Sequence, residues 1–278
     1  MNINDILFVT GASKGLGLTL VKRLLNEGYK VAATSRTIND LKTAVGDNEN
    51  FLPLAVNIKN EESVQDAVAL AVNTFGKIDV VVNNAGYGML GGLEETTDQE
   101  VKDNFDVNVF GSLNVIRAVL PYLRAQQSGH IINISSIGGF VGGYPGFGIY
   151  CATKFAVNGF TEALDAEVKP FGIKVTVVEP GYFRTNFLSE GSLVTPKNPI
   201  DAYQNIRESQ RLHQQDIDQQ QAGDPEKAAA AMISIANHPD APLNLFLGAD
   251  AYELAHKKIA SVQNDLETWK ELTTSTAF

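Results

Sequence analysis

The chain has 278 residues, of which 44% are hydrophobic and 19% are charged, and its formal net charge is −10. This composition is that of an ordinary globular domain with a sizeable core, and an acidic balance without any run of Lys and Arg argues against nucleic acid and anionic membrane surfaces as partners. A single cysteine excludes an internal disulfide and favours a reducing compartment, and without a membrane-length apolar run or a secretory signal pattern we expect a cytoplasmic protein.

The first 28 residues have the pattern of a strand, a glycine-rich turn and a helix. Residues 6–10 form a short β-rich run, glycines follow at 11, 15 and 17, and residues 18–26 read as a helix. In this context glycines let the backbone approach a pyrophosphate, and the free N–H groups of the helix N-terminus bind its charge. We therefore expect a dinucleotide site, the alternative being a tight turn between strand and helix.

The second predicted strand, residues 30–36, ends where the adenosine ribose of a dinucleotide would lie. An acidic residue at this end would bind the 2′-hydroxyl of NAD, but the chain offers Ser35 and Arg36. Arg36 and Lys14 can together hold a 2′-phosphate through charge-assisted hydrogen bonds. The pattern favours NADP over NAD, and the alternative is that both side chains are solvated surface cations.

Strands and helices alternate along the next part of the chain. Residues 51–56 are a third strand, residues 61–75 an amphipathic helix, and residues 77–82 a fourth strand. This alternation gives βαβ units, so we expect one doubly wound α/β domain over 1–278, a Rossmann fold with a parallel sheet of about seven strands. Ligands of such sheets bind beyond the carboxyl ends of the strands, where the chain places Asn57, Asn83, Ala85 and Gly86.

A long helix is predicted over 98–123, and Asn108 lies inside it. Because Asn is a poor helix-interior residue, its position indicates a local distortion or a polar role, the alternative being an exposed side chain. Residues 130–136 form the fifth strand and end in two serines. The glycine-rich loop 137–148 then leads directly to Tyr150.

Tyr150 and Lys154 are four residues apart on a predicted helix and therefore share a face. A lysine ammonium beside a phenol favours the phenolate and lowers the pKa of the phenol. Such a phenol can exchange a proton with a carbonyl or alcohol oxygen near neutral pH. Alone the pair is weak evidence, since the alternative is one aromatic side chain and one solvated charge. The upstream cofactor pattern makes it a catalytic candidate.

The C-terminal part follows a sixth strand at 173–178. Residues 186–223 have little apolar periodicity, and we expect them to cover the active site as a substrate lid, the alternative being a surface excursion without a role. A helix at 225–236, a strand at 243–248 and a final helix at 249–271 complete the predicted fold.

These motifs together resemble the classical short-chain dehydrogenase/reductase family, in family order and spacing over about residues 5–185. The matching pieces are Thr10-Gly11-x3-Gly15-x-Gly17, Asn83-Asn84-Ala85-Gly86, Asn108, Ser136, Tyr150-x3-Lys154 and Pro180-Gly181-x3-Thr185. The last piece is similar to the branch of 17β-hydroxysteroid- and retinol-dehydrogenase-like enzymes. The resemblance implies a nicotinamide cofactor and a homodimer or homotetramer, with the predicted helices 98–123 and 149–168 as the expected contact faces.

The resemblance also implies a catalytic tetrad of Asn108, Ser136, Tyr150 and Lys154. Tyr150 would be the general acid/base, and Lys154 would lower its pKa and bind the nicotinamide ribose. Ser136, chosen over the adjacent Ser135 by its separation from Tyr150, would hold the substrate oxygen. Asn108 would bind, through the helix backbone, a water that links Lys154 to solvent.

The cofactor is expected to be NADP(H), with NAD(H) as the alternative. By the resemblance, Thr185 would bind the nicotinamide carboxamide, and Asn57 stands where the family often has an Asp that contacts adenine. No metal site is expected, because the four histidines are scattered without ligand spacing. The strand ends and the resemblance give the full set of expected cofactor residues: Gly11, Ser13, Lys14, Gly15, Leu16, Gly17, Ser35, Arg36, Asn57, Ile58, Asn83, Ala85, Gly86, Tyr150, Lys154, Pro180, Gly181 and Thr185.

The expected function is that of an NADP-dependent oxidoreductase that interconverts a secondary alcohol with a ketone or aldehyde, using hydride from nicotinamide and a proton from Tyr150. Four side chains would line a pocket for an apolar small-molecule substrate: Tyr182, Phe183, Phe187 and Leu188. Two alternatives remain. One is a non-catalytic NADP-binding sensor on the same fold, disfavoured by the intact tetrad. The other is an epimerase or dehydratase that keeps its cofactor, disfavoured by the compact glycine motif.

Overall fold

The structure is a computed structural model that describes residues 5–189 and 191–278. Its strands are β1 (Ile6–Val9), β2 (Lys30–Ser35), β3 (Phe51–Ala55), β4 (Val80–Asn83), β5 (Gly88–Met89), β6 (Gly129–Ile134), β7 (Ile173–Pro180), β8 (Leu193–Val194) and β9 (Asn244–Leu247). Its α-helices are α1 (Gly15–Asn26), α2 (Ile38–Val45), α3 (Glu61–Phe75), α4 (Asp98–Phe105), α5 (Gly111–Gln126), α6 (Gly148–Val168), α7 (Gln204–Arg211), α8 (Pro225–Asn237), α9 (Ala249–Thr268) and α10 (Lys270–Thr274).

Seven of these strands form one parallel sheet in the order β3-β2-β1-β4-β6-β7-β9, as the alternating pattern predicted. The chain runs outward from β1 to β3, returns to place β4 beside β1, and then runs outward on the other side to β9. A reversal of this kind leaves a crevice at the carboxyl ends of the two central strands, where ligands of open parallel sheets bind. The fold therefore places the site at the ends of β1 and β4.

Helices cover both faces of the sheet. Strands β1 and β4 are buried along their whole length, which is why their sequences are continuous apolar runs rather than alternating ones. On one face α1 and α8 pack through Leu20, Leu24 and Met232, and on the other face α3, α5 and α6 pack through side chains such as Val64 and Val119. The two apolar layers hold the strands between them, so that the carboxyl ends of the strands form one edge of the sheet.

Local structure explains where the sequence prediction was incomplete. Helix α2 was not predicted, because it is short, carries Leu41 as its buried residue and depends on a cap from Thr37. The predicted helix 98–123 is divided between α4 and α5 by a π-helical segment, Asp106–Phe110. Asn108 lies in that segment, so the predicted distortion is confirmed.

The predicted segment 186–223 is described apart from Glu190, which lies outside the described residues. It contains β8, α7 and a second π-helical segment, Leu212–Ile217. Strand β8 pairs in parallel with β5, which follows the end of β4. This pairing attaches the segment to the edge of the sheet where the crevice lies.

Candidate active site

One cleft of about 760 Å³ lies at the carboxyl ends of the strands. Most of the predicted cofactor residues line it: Gly11, Ser13, Lys14, Gly15, Leu16, Ser35, Arg36, Asn57, Ile58, Ala85, Gly86, Tyr150, Lys154, Pro180, Gly181 and Thr185. The candidate acid/base Tyr150, Lys14 of the glycine turn and Arg36 after β2 therefore share one continuous cavity. Gly17 and Asn83 do not line the wall, and neither does Asn108, which lies behind it.

The glycines of the first turn serve two different purposes. A Cβ at Gly11 would lie 2.7 Å from Ala85 Cα, and one at Gly17 would lie 2.3 Å from Asn84 Nδ2, so these two glycines permit close packing against the end of β4. A Cβ at Gly15 would meet no described atom within 4 Å, and its φ of +60° favours glycine. At Gly15 it is thus the backbone conformation, and not a lack of space, that favours glycine.

The N-terminus of α1 is suited to a phosphate. Lys14, its N-cap, makes no side-chain cap hydrogen bond with any described residue, and the first turn holds no acidic side chain. The N–H groups of this turn are therefore available to an anion, and the helix dipole favours negative charge there. The residues present fit the pyrophosphate of a dinucleotide.

Two cations lie together where the adenosine ribose was expected. The pKa of the Lys14 ammonium is lowered mainly by burial and, to a smaller extent, by the nearby charge of Arg36. Lys14 Nζ also donates to the carbonyl oxygen of Gly191 at 3.1 Å, which joins the glycine turn to the segment that follows β7. The Ser35 hydroxyl donates to the carbonyl of Thr37 at the end of β2. Paired cations beside a hydroxyl fit a 2′-phosphate.

Tyr150 is buried at the start of α6, and its environment differs from the predicted one. Burial raises the pKa of the Tyr150 phenol above its ordinary value, and a hydrogen bond with Ser136 offsets only part of that effect. Lys154 Nζ lies 5.8 Å from the centroid of the Tyr150 ring and donates to the carbonyl oxygen of Ile134 at 2.9 Å. The predicted lowering of the phenol pKa by Lys154 is therefore not seen in this structure, where burial is the main influence on that pKa.

Lys154 is itself affected by burial, which lowers the pKa of its ammonium to about 8. A group with that pKa is mostly protonated at neutral pH and exchanges its proton readily. The adjacent Cys151 packs with Met89 and Phe147, and burial raises the pKa of its thiol to about 11. Cys151 is thus a packing residue.

The two serines after β6 have separate roles. The Ser135 hydroxyl is buried and donates to the carbonyl oxygen of Lys154 at 3.1 Å, so it ties β6 to α6. The Ser136 hydroxyl faces Tyr150 and accepts a hydrogen bond from Gly138 N–H at 3.0 Å. Geometry therefore supports Ser136, and not Ser135, as the residue that meets a substrate oxygen beside Tyr150.

Asn108 is buried, and both the oxygen and the nitrogen of its side-chain amide form hydrogen bonds with neighbouring residues. Its Oδ1 accepts from Tyr87 N–H at 3.0 Å, and its Nδ2 donates to the Tyr87 carbonyl and to Thr153 Oγ1 at 3.0 Å each. A Cβ at Gly86 would lie 3.1 Å from Asn108 Oδ1 and 3.6 Å from Lys154 Nζ. Asn108 therefore fixes the wall after β4 and the face of α6 that carries Lys154.

Asn83 is the predicted cofactor residue that the structure places elsewhere. Its Nδ2 donates to Asn133 Oδ1 at 2.9 Å, and Asn133 Nδ2 donates to Thr161 Oγ1 at 2.9 Å. This buried chain of amides links β4 and β6 to α6. The neighbouring Asn84 reaches the cleft instead and donates to the carbonyl oxygens of Thr10 and Gly11. The Asn83 side chain is structural because successive residues of a strand point to opposite faces.

Aromatic side chains close the end of the cleft next to Tyr150. The ring of Phe187 lies 5.7 Å from the Tyr150 ring, and Phe147 lies 6.2 Å from it on another side. All four predicted pocket residues line the cleft: Tyr182, Phe183, Phe187 and Leu188. The wall beside the candidate acid/base is therefore mainly apolar.

His213 lines the cleft, although the sequence analysis did not single it out. Its Nδ1 lies 2.7 Å from the Ser209 carbonyl, so this nitrogen donates and Nε2 accepts the hydrogen bond from the Tyr182 hydroxyl at 2.9 Å. Burial lowers the pKa of His213, which keeps the ring neutral. No ligand spacing marks this histidine in the sequence. It reaches the cleft through the π-helical segment after α7, a kind of bulge that is frequent at functional sites.

Within residues 5–189 and 191–278, no group of three or more His, Cys, Asp or Glu side chains is arranged to hold a metal ion. No helix in this part of the chain is both long and apolar enough to cross a membrane.

Residues 5–192 match the family model of the short chain dehydrogenases. The chain is 36% identical over 283 residues to an oxidoreductase of Botryotinia fuckeliana, covering 99% of this chain and 100% of that relative. It is 38% identical over 246 residues to the 3-ketodihydrosphingosine reductase of Bacteroides thetaiotaomicron, covering 88% of each chain.

Several solved structures have a similar fold. A short-chain dehydrogenase from Streptomyces avermitilis has a TM-score of 0.88 and 36% identity, covering 99% of this chain and 98% of that one. ElxO, solved with NADP bound, has a TM-score of 0.73 and 26% identity, with coverages of 90% and 99%. The 3-ketoacyl-(acyl-carrier-protein) reductase of Brucella melitensis, in complex with NADH, has a TM-score of 0.73 and 25% identity, with coverages of 87% and 96%.

Proposed function

The chain belongs to the short-chain dehydrogenase family and is an NAD(P)-dependent oxidoreductase, and from this premise we propose that it interconverts a secondary alcohol and a ketone or aldehyde with NADP(H) as cofactor. The observation that carries the proposal is the layout of one cleft. Tyr150 and Ser136 lie at its apolar end, and Lys14 and Arg36 lie at its cationic end.

The chemistry follows from what the residues can donate. A bound nicotinamide supplies the hydride in the reductive direction and accepts it in the other. Ser136 and Tyr150 present two hydroxyls to the substrate oxygen, where negative charge develops. Because burial raises the pKa of Tyr150, the phenol holds its proton until an oxyanion forms beside it. Lys154, with a pKa of about 8, is placed to return a proton to the site.

The cofactor preference rests on charge. Lys14 and Arg36 are close enough for the charge of Arg36 to lower the pKa of Lys14, and an anion between them relieves that repulsion. A 2′-phosphate is such an anion, whereas the 2′-hydroxyl of NAD is not. ElxO binds NADP and the Brucella melitensis reductase binds NADH, so the family fold alone does not choose between them.

The substrate class follows from the walls near Tyr150. Phe187, Tyr182 and Leu188 surround this end of the cleft and favour an apolar carbonyl compound. Two similar proteins are named as reductases of keto compounds, 3-ketodihydrosphingosine and 3-ketoacyl groups, which supports the same choice. Residues 186–189 and 191–223 then act as the lid over this substrate, held to the glycine turn by the contact between Lys14 and Gly191.

The experiment is a comparison of NADPH and NADH oxidation against ketones, aldehydes and quinones of graded size. Turnover that prefers NADPH and bulky apolar carbonyls is the expected result. Tight NADP binding without turnover of any carbonyl or alcohol would replace the proposal with the sensor alternative. Product formation without net consumption of cofactor would indicate an epimerase or dehydratase instead.

A further inference from the structure

The C-terminal helix leaves the body of the protein and is not covered by it. Helix α9 packs on the body through Ala251 and Ala255, near Ile137. From residue 256 onward every residue is exposed, through the rest of α9 and all of α10. The exposed part of α9, residues 256–268, spans roughly 20 Å at about 1.5 Å per residue, and α10 follows after Trp269.

A helix in this situation needs a partner. Isolated helices of this length are marginal in water, and most helical stability in proteins comes from packing an apolar face against something else. Tyr252 contacts His256 within α9, but no described part of this chain buries residues 256–274, since all of them are exposed. The stability of the outer helix must therefore come from outside the single chain.

The exposed apolar side chains fall on one stripe. Ile259, Val262, Leu266 and Trp269 are spaced by three, four and three residues, and Tyr252 precedes them by one heptad. Leu266 is 59% exposed and Trp269 is 60% exposed. Large apolar side chains at this spacing form the seam through which two helices pack. The stripe is thus a helix-pairing surface without its partner helix.

The charges along the same helix are divided into two halves. The inner half carries Lys257 and Lys258, and the outer half carries three acidic residues, Asp265, Glu267 and Glu271, with Lys270 among them. If two copies align in the same direction, the basic halves meet and so do the acidic halves. If they align in opposite directions, each basic half meets an acidic half, which a two-fold axis produces naturally.

We propose that residues 256–274 pair with the same residues of a second copy of this chain in an antiparallel arrangement. The stripe from Ile259 to Trp269 forms the seam, and Lys258, which flanks this stripe, faces Asp265 on the same flank of the second copy. This contact is distinct from the α4, α5 and α6 faces on which a family-type interface is expected. The seam from Ile259 to Trp269 spans only about one and a half heptads, so we expect weak association that depends on concentration in roughly the micromolar range.

A membrane surface is the other partner that an exposed apolar helix could find. Such helices usually carry Lys and Arg along the polar face, which attract anionic lipids. Here acidic residues outnumber basic ones in the outer half of the helix, and the whole chain has a net charge of −10. The charge pattern favours a second copy over a lipid surface.

The test measures mass by sedimentation velocity from about 1 to 100 µM of the full chain. The wild-type mass should double across this range, and Leu266→Glu should remove that doubling. Asn264→Glu is the matched control, because this residue is exposed on the opposite side of the helix and should leave the doubling unchanged. Far-UV circular dichroism checks that each variant is folded.

Charge reversal tests the antiparallel direction. Lys258→Glu should weaken association about tenfold, and adding Asp265→Lys should restore it. No restoration, or equal masses for wild type and Leu266→Glu, would overturn the proposal. So would a wild-type protein that stays at one mass and instead sediments with phosphatidylcholine and phosphatidylserine vesicles. None of these readouts depends on catalytic activity.

Discussion

Arg207 on α7 forms an ion pair with Glu95, whose carboxylate is completely buried. Glu95 also accepts hydrogen bonds at 2.7 Å from the backbone N–H groups of Gly92 and Ile200. Burial alone would raise the pKa of Glu95, but these backbone bonds and the charge of Arg207 outweigh it and hold the pKa below its ordinary value. One carboxylate therefore ties α7 to the segment that follows β5.

The variant Glu95→Gln should loosen the proposed lid without unfolding the sheet. The amide keeps the shape of the side chain but loses charge-assisted hydrogen bonds worth about 1.5–3 kcal/mol each. We expect faster hydrogen exchange at Ile200 and in α7, unchanged exchange in β4, and a fall of about tenfold in kcat/KM for a bulky substrate.

Glu94→Gln is the matched control for this change. Glu94 is exposed and accepts from the Tyr203 hydroxyl on the same segment. An exposed hydrogen bond of this kind adds little to the stability of the segment, so hydrogen exchange and kcat/KM should stay near their wild-type values. Equal behaviour of the two variants would show that the Glu95 carboxylate does not hold the lid.

Tyr150→Phe should reduce turnover by at least about 10²-fold, since a positioned general acid contributes roughly 10²–10⁴-fold. The ring and its contact with Phe187 remain, and only the proton donor is lost. Binding of NADPH, measured by fluorescence titration, should stay within about twofold of wild type. Tyr122→Phe on α5, away from the cleft, is the control. Turnover like that of wild type would remove Tyr150 from the proposed mechanism.

The sequence predicted the sheet because its signals are local. Buried parallel strands read as apolar runs, and the glycine turn after β1 has a fixed place in a βαβ unit. Helix α2 gave no such signal, since Leu41 is its buried side chain and a Thr37 cap defines its start. The interruption at Asn108 could be predicted from helix propensity, whereas its partners Tyr87 and Thr153 could not.

The sequence predicted which residues form the site, but not the surroundings of their side chains. Tyr150 and Lys154 share a face, yet the pKa of the phenol depends on burial by residues far away in sequence, such as Phe187. The motif placed Asn83 at the strand end but did not give the direction of its side chain, which bonds Asn133 and does not line the cleft. His213 could not be found at all, because its contact with Tyr182 exists only after the distant segment folds over the cleft.

Arg36→Asp should move cofactor preference from NADPH toward NADH. The change removes one cation of the proposed phosphate site and adds a carboxylate that can accept from a ribose hydroxyl. Because Arg36 is exposed, we expect a modest loss, about tenfold in affinity for NADPH, with affinity for NADH equal or higher. Lys42→Asp on α2 makes the same charge change outside the cleft and is the control. An unaltered ratio of the two dissociation constants would show that Arg36 does not contact the phosphate.

His130 should make folding stability depend on pH. It is buried on β6, and burial lowers the pKa of its ring from 6.5 to about 3. The Thr176 hydroxyl donates to the Pro242 carbonyl, so it accepts from His130 Nε2–H and fixes the tautomer of the neutral ring. A lowered pKa means that this stabilisation is complete above pH 6.5 and is lost as the pH falls toward 3, at about 1.4 kcal/mol per pH unit.

Between about pH 7.5 and pH 5 this histidine should account for about 2 kcal/mol of lost stability, measured by urea unfolding. Glu179 acts with the opposite sign, because burial raises the pKa of its carboxyl to about 7 and protonation then favours the folded state. The pH dependence of the unfolding free energy contains the effects of both His130 and Glu179, so the test compares wild type with His130→Gln. The amide of that variant can still donate to Thr176 but does not titrate, and the loss between the two pH values should be about 2 kcal/mol smaller. The same loss in both proteins would show that His130 is not held neutral in the folded state.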